Sequence, residues 1–347
     1  MIKSLSPYYL NIPWISPLTS TVSTSYTLRV YVWDGLKASP PATASYTMTK
    51  PNLATSSGTD KLDISQLIND YIDFEPNGNN QRWVKTTVTF NTVNELDLDV
   101  VQLPLTNLML QGYGGGLDGE NAQPPANNVL ISGNDFKVFR NGYFNFPFII
   151  SETLTTSVTV KSYPSLNIND THTFIATTYN ANLVKNILVD LACALGDGVV
   201  EIIYNDVITT LLITDECRYS PLDIAFQNKE GALQFITFFK AKTESLNVTS
   251  EEFQTDRGQA IDGYHQMVTY NVQGNSKFKM NSGFVDESIN ETMKQLFLSE
   301  RVWQFDGTNY IPLKIGSKSL EYKTRMKDRL INYEVEFEYA FNEINNQ

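Results

Sequence analysis

The chain is organised by strict alternation of apolar and polar positions. In "TSYTLRVYVW" (residues 24–33) Tyr26, Leu28, Val30 and Val32 fall on one face of a strand. Asp34-Gly35 supplies a turn, and "ASYTMTK" reads as the returning strand. The period then changes. In "DISQLINDYIDF", Ile64, Leu67, Ile68, Tyr71 and Ile72 recur at helical spacing, with Asp63 placed as N-cap. "RWVKTTVTF" returns to alternation, which predicts a β-sandwich carrying one short helix over residues 1–105.

Residues 106–215 predict a second, sandwich-like unit. Asn141-Gly142 in "FKVFRNGYFNF" reads as a hairpin turn between aromatic strands, and Asn205-Asp206 as another between "VVEIIY" and "VITTLLIT". "NLVKNILVDLACAL" fits a short helix or a buried strand equally well. Residues 216–347 predict an antiparallel sheet or barrel with one flanking helix at about 286–300. Leu222, Ile224 and Phe226, then Leu233, Phe235 and Thr237, alternate on either side of an "NKEG" turn. Gln273-Gly274-Asn275 reads as a turn between "QMVTYNV" and "KFKMN", and Asp306-Gly307 as a turn within "VWQFDGTNYIPLKI". In the helix, Ser288 and Glu291 match a capping box, and Ile289, Met293, Leu296 and Phe297 share a face. Finally "LINYEVEFEYAF" sets Tyr333, Val335, Phe337, Tyr339 and Phe341 inward and Glu334, Glu336 and Glu338 outward. The fold class expected is therefore mainly β and multi-domain: antiparallel β-sandwiches followed by a helix-flanked sheet.

Composition narrows the function classes. With 26 basic against 38 acidic residues and a net charge of -12, the chain lacks the basic footprint of a nucleic-acid binder. The three prolines in "MIKSLSPYYLNIPWISPL" interrupt any signal-peptide core, and no window approaches the roughly 20 apolar residues of a membrane span, so no membrane insertion is expected. Two cysteines and two histidines, without CxxC or HxxxH spacing, predict neither a metal site nor a cofactor. Cys217 in "ECRYSPLDIAF" is adjacent to Arg218, but no histidine stands in a context that marks it as a base. It is expected to be strand filling, as is Cys193. Gly114, Gly116 and Gly119 match GxGxxG, yet Pro124-Pro125 follow where a dinucleotide fold needs a helix. The segment from Gly112 to Asn128 is instead expected to be a contact arm, with Gly114, Gly116, Leu117 and Asp118 as candidate assembly residues. No catalytic residues are expected, and the chain is read as a non-enzyme.

Several segments carry a resemblance. "CRYSPLDIAFQNKEGALQFITFFK", "NSGFVDESINETMKQLFLSERVW", "SLEYKTRMKDRLINYEVEFEYAFNEIN", "TSYTLRVYVWDG" and "DKLDISQLINDYID" resemble virion structural proteins of tailed bacteriophages infecting Bacteroidetes. The resemblance covers about a third of the chain and supplies no functional residues. It implies a particle component of the tail, tail tip or baseplate, made in the host bacterial cytoplasm, whose partners are copies of itself and other virion proteins. Phage tail-tube and distal-tail proteins share an antiparallel sheet with one flanking helix, which makes the C-terminal portion the expected ring-forming part. The alternative is a tail fibre or spike that recognises host surface glycan, with Trp83 in "FEPNGNNQRW" at its contact surface.

Overall fold

Twenty-two strands and two short helices fill the described part of the chain, so the protein is mainly β. The structure, a computed structural model, describes residues 1–13, 23–51, 59–92, 106–114, 121–150, 157–164, 170–175, 183–191, 198–255, 265–317, 319 and 331–344.

The first sheet takes β1 (Ile2–Lys3), β3 (Ser23–Trp33), β4 (Tyr46–Pro51), β6 (Gln81–Thr92) and β7 (Thr106–Leu110) in the order β1-β7-β6-β3-β4. The β1–β7 pair is parallel and the others are antiparallel. β7 thus belongs by pairing to the first sheet. A second layer consists of the pair β2 (Tyr9–Pro13) and β5 (Thr59–Asp63) with helix α1 (Ser65–Asn69). The predicted inward set Tyr26, Leu28, Val30 and Val32 packs there with Leu10, Leu62, Ile64, Ile68 and Ile72. The N-cap position falls on Ile64 rather than Asp63. Asp63 still serves the helix start from one residue earlier, its Oδ1 accepting the N–H of Ser65 at 2.9 Å and that of Tyr8 at 3.0 Å.

The middle unit holds β8 (Asp135–Phe139), β10 (Ser157–Pro164), β11 (Asp170–Ile175), β13 (Gly198–Tyr204) and β14 (Val207–Thr214) in the order β11-β10-β13-β14-β8. Facing it is the pair β9 (Tyr143–Ile150) and β12 (Leu183–Asp190), which settles the ambiguous segment as a strand. Asn205 and Asp206, both at positive φ, close the β13–β14 hairpin as read from the sequence. The Asn141-Gly142 hairpin is corrected. The turn exists, with Gly142 N–H donating to Phe139 O at 2.9 Å, but β8 pairs parallel with β14 while β9 pairs with β12. The aromatics explain the outcome: Phe136 and Phe144 meet ring to ring at 5.0 Å across the core, so the turn links two layers instead of two neighbours in one sheet.

The C-terminal sheet is open and runs β16 (Leu233–Phe238), β15 (Leu222–Gln227), β19 (Val302–Phe305), β20 (Tyr310–Ile315), β21 (Glu334–Tyr339), β18 (Met267–Asn281) and β17 (Thr243–Gln254), with β22 (Glu343–Ile344) also on β18. Helix α2 (Asn290–Leu298) lies on one face, burying Met293 and Leu296 against Phe226, Phe238, Phe278 and Phe337. The capping box is corrected: the helix is entered through a single 3-10 turn, Glu287–Ile289, whose cap is Asp286, accepting the N–H of Ser288 at 3.0 Å. Tyr333, Val335 and Phe337 are buried as expected, but Phe341 is exposed, because β21 ends at Tyr339. The predicted Gln273-Gly274-Asn275 turn is also corrected. All three residues lie inside one continuous strand, β18, opposite Thr249, Val248 and Asn247 of β17.

Candidate functional site

Segments of all three units meet at one turn. Asn228–Gly231, the "NKEG" of the sequence, joins β15 to β16 and is gripped from every side. Lys3 forms an ion pair with Glu230 at 2.9 Å, with both side chains nearly buried. Tyr113 N–H donates to Lys229 O at 2.8 Å, and the Asn228 amide donates to Leu130 O at 2.7 Å. Lys229 N–H donates to Gln295 Oε1 of α2 at 3.1 Å. Gly231, at φ 78°, lies so close to Gln111 and Gly112 that a Cβ there would stand 2.7 Å from their backbone atoms. On the other face of β15, Phe74 of the first unit stacks on Trp303 at 5.9 Å, and Tyr143 of the middle unit meets Phe305 at 5.1 Å. β15 and β16 are consequently buried on both faces.

Beside the turn a cleft of about 540 Å³ opens between Tyr113, Gln227, Lys229, Glu291, Lys294 and Leu298, among others. The Tyr113 hydroxyl is buried and has no hydrogen-bond partner among the described residues. Desolvation, with Glu291 and Glu230 nearby, pushes it up to about 12. A neutral phenol at this position can donate a hydrogen bond to a bound group. Among the described residues no group of His, Cys, Asp and Glu is arranged to hold a metal ion. Among the described residues the most displaced carboxyl is Asp223, which burial raises to about 6. It joins strands, accepting from the Thr237 hydroxyl at 2.6 Å and Tyr143 N–H at 2.9 Å.

Cys217 is free and exposed, in the loop that precedes β15, so the expected strand filling is corrected. The alternation that suggested filling begins only at Leu222. Cys193 lies outside the described residues, as do Gly116, Leu117 and Asp118 of the candidate loop. Gly114 is described, and its N–H donates to the Ser6 hydroxyl. At the other end of the loop, Asn121 exchanges hydrogen bonds with Tyr9 through its side chain, at 2.7 and 3.2 Å. Both flanks of the loop are therefore tied to the chain's own N-terminal segment. Trp83, the expected glycan contact, is buried, and its indole N–H donates to Gly35 O at 3.0 Å.

The surface the sequence reading missed is the ribbon β17–β18. Every residue of β17 is exposed, Leu246 at 53% and Val248 at 56%, and among the described strands β17 is the outer edge of its sheet. A signal was present in "TESLNVTSEEFQ", where Leu246 and Val248 alternate with Ser245, Asn247 and Thr249. The outward glutamates of β21, by contrast, are occupied within the chain. Lys279 pairs with Glu334, and Lys277 reaches Glu338 at 2.5 Å and Glu336 at 3.6 Å.

No protein-family model matches the chain, and a search of curated proteins finds no match either.

Proposed function

We propose that the chain is a non-enzymatic structural component of a tailed-phage virion, in the tail, tail tip or baseplate, that assembles as a symmetric oligomer. The observation that carries this reading is the exposed edge ribbon. A strand of 12 exposed residues with aliphatic side chains in its middle is a template for pairing with another chain, a hazard unless pairing is its purpose. The junction at Asn228–Gly231 supports the same reading, since segments of three units locked on one turn make a rigid block suited to bearing load rather than to opening around a substrate. The resemblance of five segments to phage virion proteins gives the reading its particular setting.

The test is location and mass. Antibody labelling of purified particles from the phage encoding this chain is expected to decorate the tail, and the purified protein is expected to exceed the monomer mass in solution. A chain absent from particles would sink the proposal.

A further inference from the structure

The open edge of β17 also specifies its partner. Glu244 stands opposite the core residue Phe278 in the ladder, so the even-numbered residues of β17, Leu246 and Val248 among them, share the face that carries the core. Ser245, Asn247 and Thr249 occupy the other face. The far edge of the sheet, β16, is buried along its whole length, so among the described strands β17 is the edge at which the sheet can grow. Growth at a single edge by copies of one chain closes after one step, as a two-fold pair of antiparallel strands.

We infer that β17 pairs with β17 of a second copy, in the register that sets Asn247 opposite itself. The inference rests on the oligomeric reading above. Along an edge strand every second residue turns its N–H and C=O outward, so two copies can exchange hydrogen bonds only when opposed residues have the same parity. Registers centred on a residue satisfy this, and those centred between two residues do not. With Asn247 on the two-fold axis, Leu246 faces the second copy's Val248, Ser245 its Thr249, Glu244 its Ser250, Thr243 its Glu251, and Lys242 its Glu252. Apolar meets apolar, and Lys242, which within its own chain pairs with Glu244 at 2.6 Å, comes to stand between that carboxylate and the second copy's Glu252. Each neighbouring register fails by a named pair. Centring on Val248 sets Glu244 against Glu252, and centring on Leu246 sets Val248 against Glu244. Centring on Thr249 sets Leu246 against Glu252, and centring on Ser245 sets Leu246 against Glu244. Directly opposed like charges destabilise a pair of strands, and a carboxylate opposite an aliphatic side chain gains nothing.

Cysteine cross-linking of the full chain reads the register directly, in a background with Cys217 and Cys193 replaced by Ser. Opposed residues stand about 4.5–5.5 Å apart at Cα, within disulfide reach. Asn247→Cys is expected to give a covalent dimer on mild oxidation. Ser245→Cys and Thr249→Cys alone are not, since each would sit about 14 Å from its own copy, yet the two mixed together should cross-link. Sedimentation up to high-micromolar concentration is expected to show a dissociation constant roughly tenfold higher for Glu252→Lys, with recovery in Lys242→Glu/Glu252→Lys. Glu252 is exposed on β17, and thermal melts verify that the variants fold, Lys242→Glu included, which gives up the pair with Glu244.

A chain monomeric at every concentration overturns both this pairing and the oligomeric reading. An oligomer that is indifferent to Glu252→Lys, and in which Asn247→Cys stays unlinked, overturns the β17 pairing alone. Cross-linking of Asn247→Cys in particles to a different virion protein overturns the second-copy assignment.

Discussion

Replacing Asp223 by Asn is expected to remove a pH dependence from stability. The Asp223 carboxyl is 8% exposed, and burial raises it from 3.8 to about 6, against the opposing pull of hydrogen bonds from Thr237 and the Tyr143 N–H. The folded chain therefore holds this proton more tightly than the unfolded chain does. Between about pH 4 and 6 the folded state binds more protons, so stability from this group is full on the acid side and is lost as pH rises through the window. A displacement of about two pKa units corresponds to about 3 kcal/mol. Asn keeps the geometry, with its oxygen accepting the Tyr143 N–H and its amide donating to the Thr237 hydroxyl. The assay is urea unfolding of both proteins from pH 4 to pH 8, taking the difference so that other carboxylates cancel. The Asn variant should gain on the native chain by about 3 kcal/mol across the window and be the more stable at pH 8. Parallel stability curves would refute the assignment of a desolvated carboxyl at this joint.

Other substitutions separate buried function from exposed detail. Gly231→Ala combines a positive φ with backbone contacts at 2.7 Å and should cost about 2–4 kcal/mol by chemical denaturation, where a neutral result would mean the junction is loose. Leu296→Asp puts an unpaired carboxylate into the α2 contact and should unfold the C-terminal sheet, as seen by loss of its cooperative melt. Glu291→Ala, which gives up only bonds to Gln295 and Lys294, should stay within about 0.5 kcal/mol. Cys217→Ser should also be neutral within about 0.5 kcal/mol, and a larger loss would mean the thiol is packed after all.

Which features were legible in the sequence follows from what alternation encodes. A period of two fixes which side chains share a face, and the inward sets of β3 and β21 are buried nearly as read. Alternation does not say which strand lies beside which. The Asn141-Gly142 turn has the local chemistry of a hairpin, and only the packing of Phe136 on Phe144 sends its strands into different layers. Gly274 misled for a related reason. A glycine between polar residues reads as a turn, but here it lies inside a ladder opposite Val248, and the break in regularity falls instead at Asn271, whose φ of 50° accompanies a register shift against Thr249 and Glu251. The caps failed by one or two residues, because an Asp or Ser near a helix start has several N–H groups within reach. The junction at Asn228–Gly231 was seen only as a turn, since the residues that grip it lie far off in the chain, among them Lys3, Gly112, Tyr113 and Leu130.

The glutamates of β17 have a reading that must be weighed against pairing. Edge strands are commonly blunted by charges and bulges that keep other chains away, and this ribbon has both, in Glu244, Glu251, Glu252 and the irregularity at Asn271. If exclusion were their whole purpose, the middle of the strand would be guarded as well. It is not: Leu246 and Val248 stand exposed between the charges, flanked by Ser245, Asn247 and Thr249. Charges placed only toward the ends leave the centre free to pair and disfavour the registers on either side of the one centred on Asn247. Arranged this way, devices that prevent promiscuous aggregation also select a single partner, which is how specificity is obtained when attraction alone would admit many. A protective edge and a specific joint are then the same strand, distinguished by whether the second chain arrives in the permitted register.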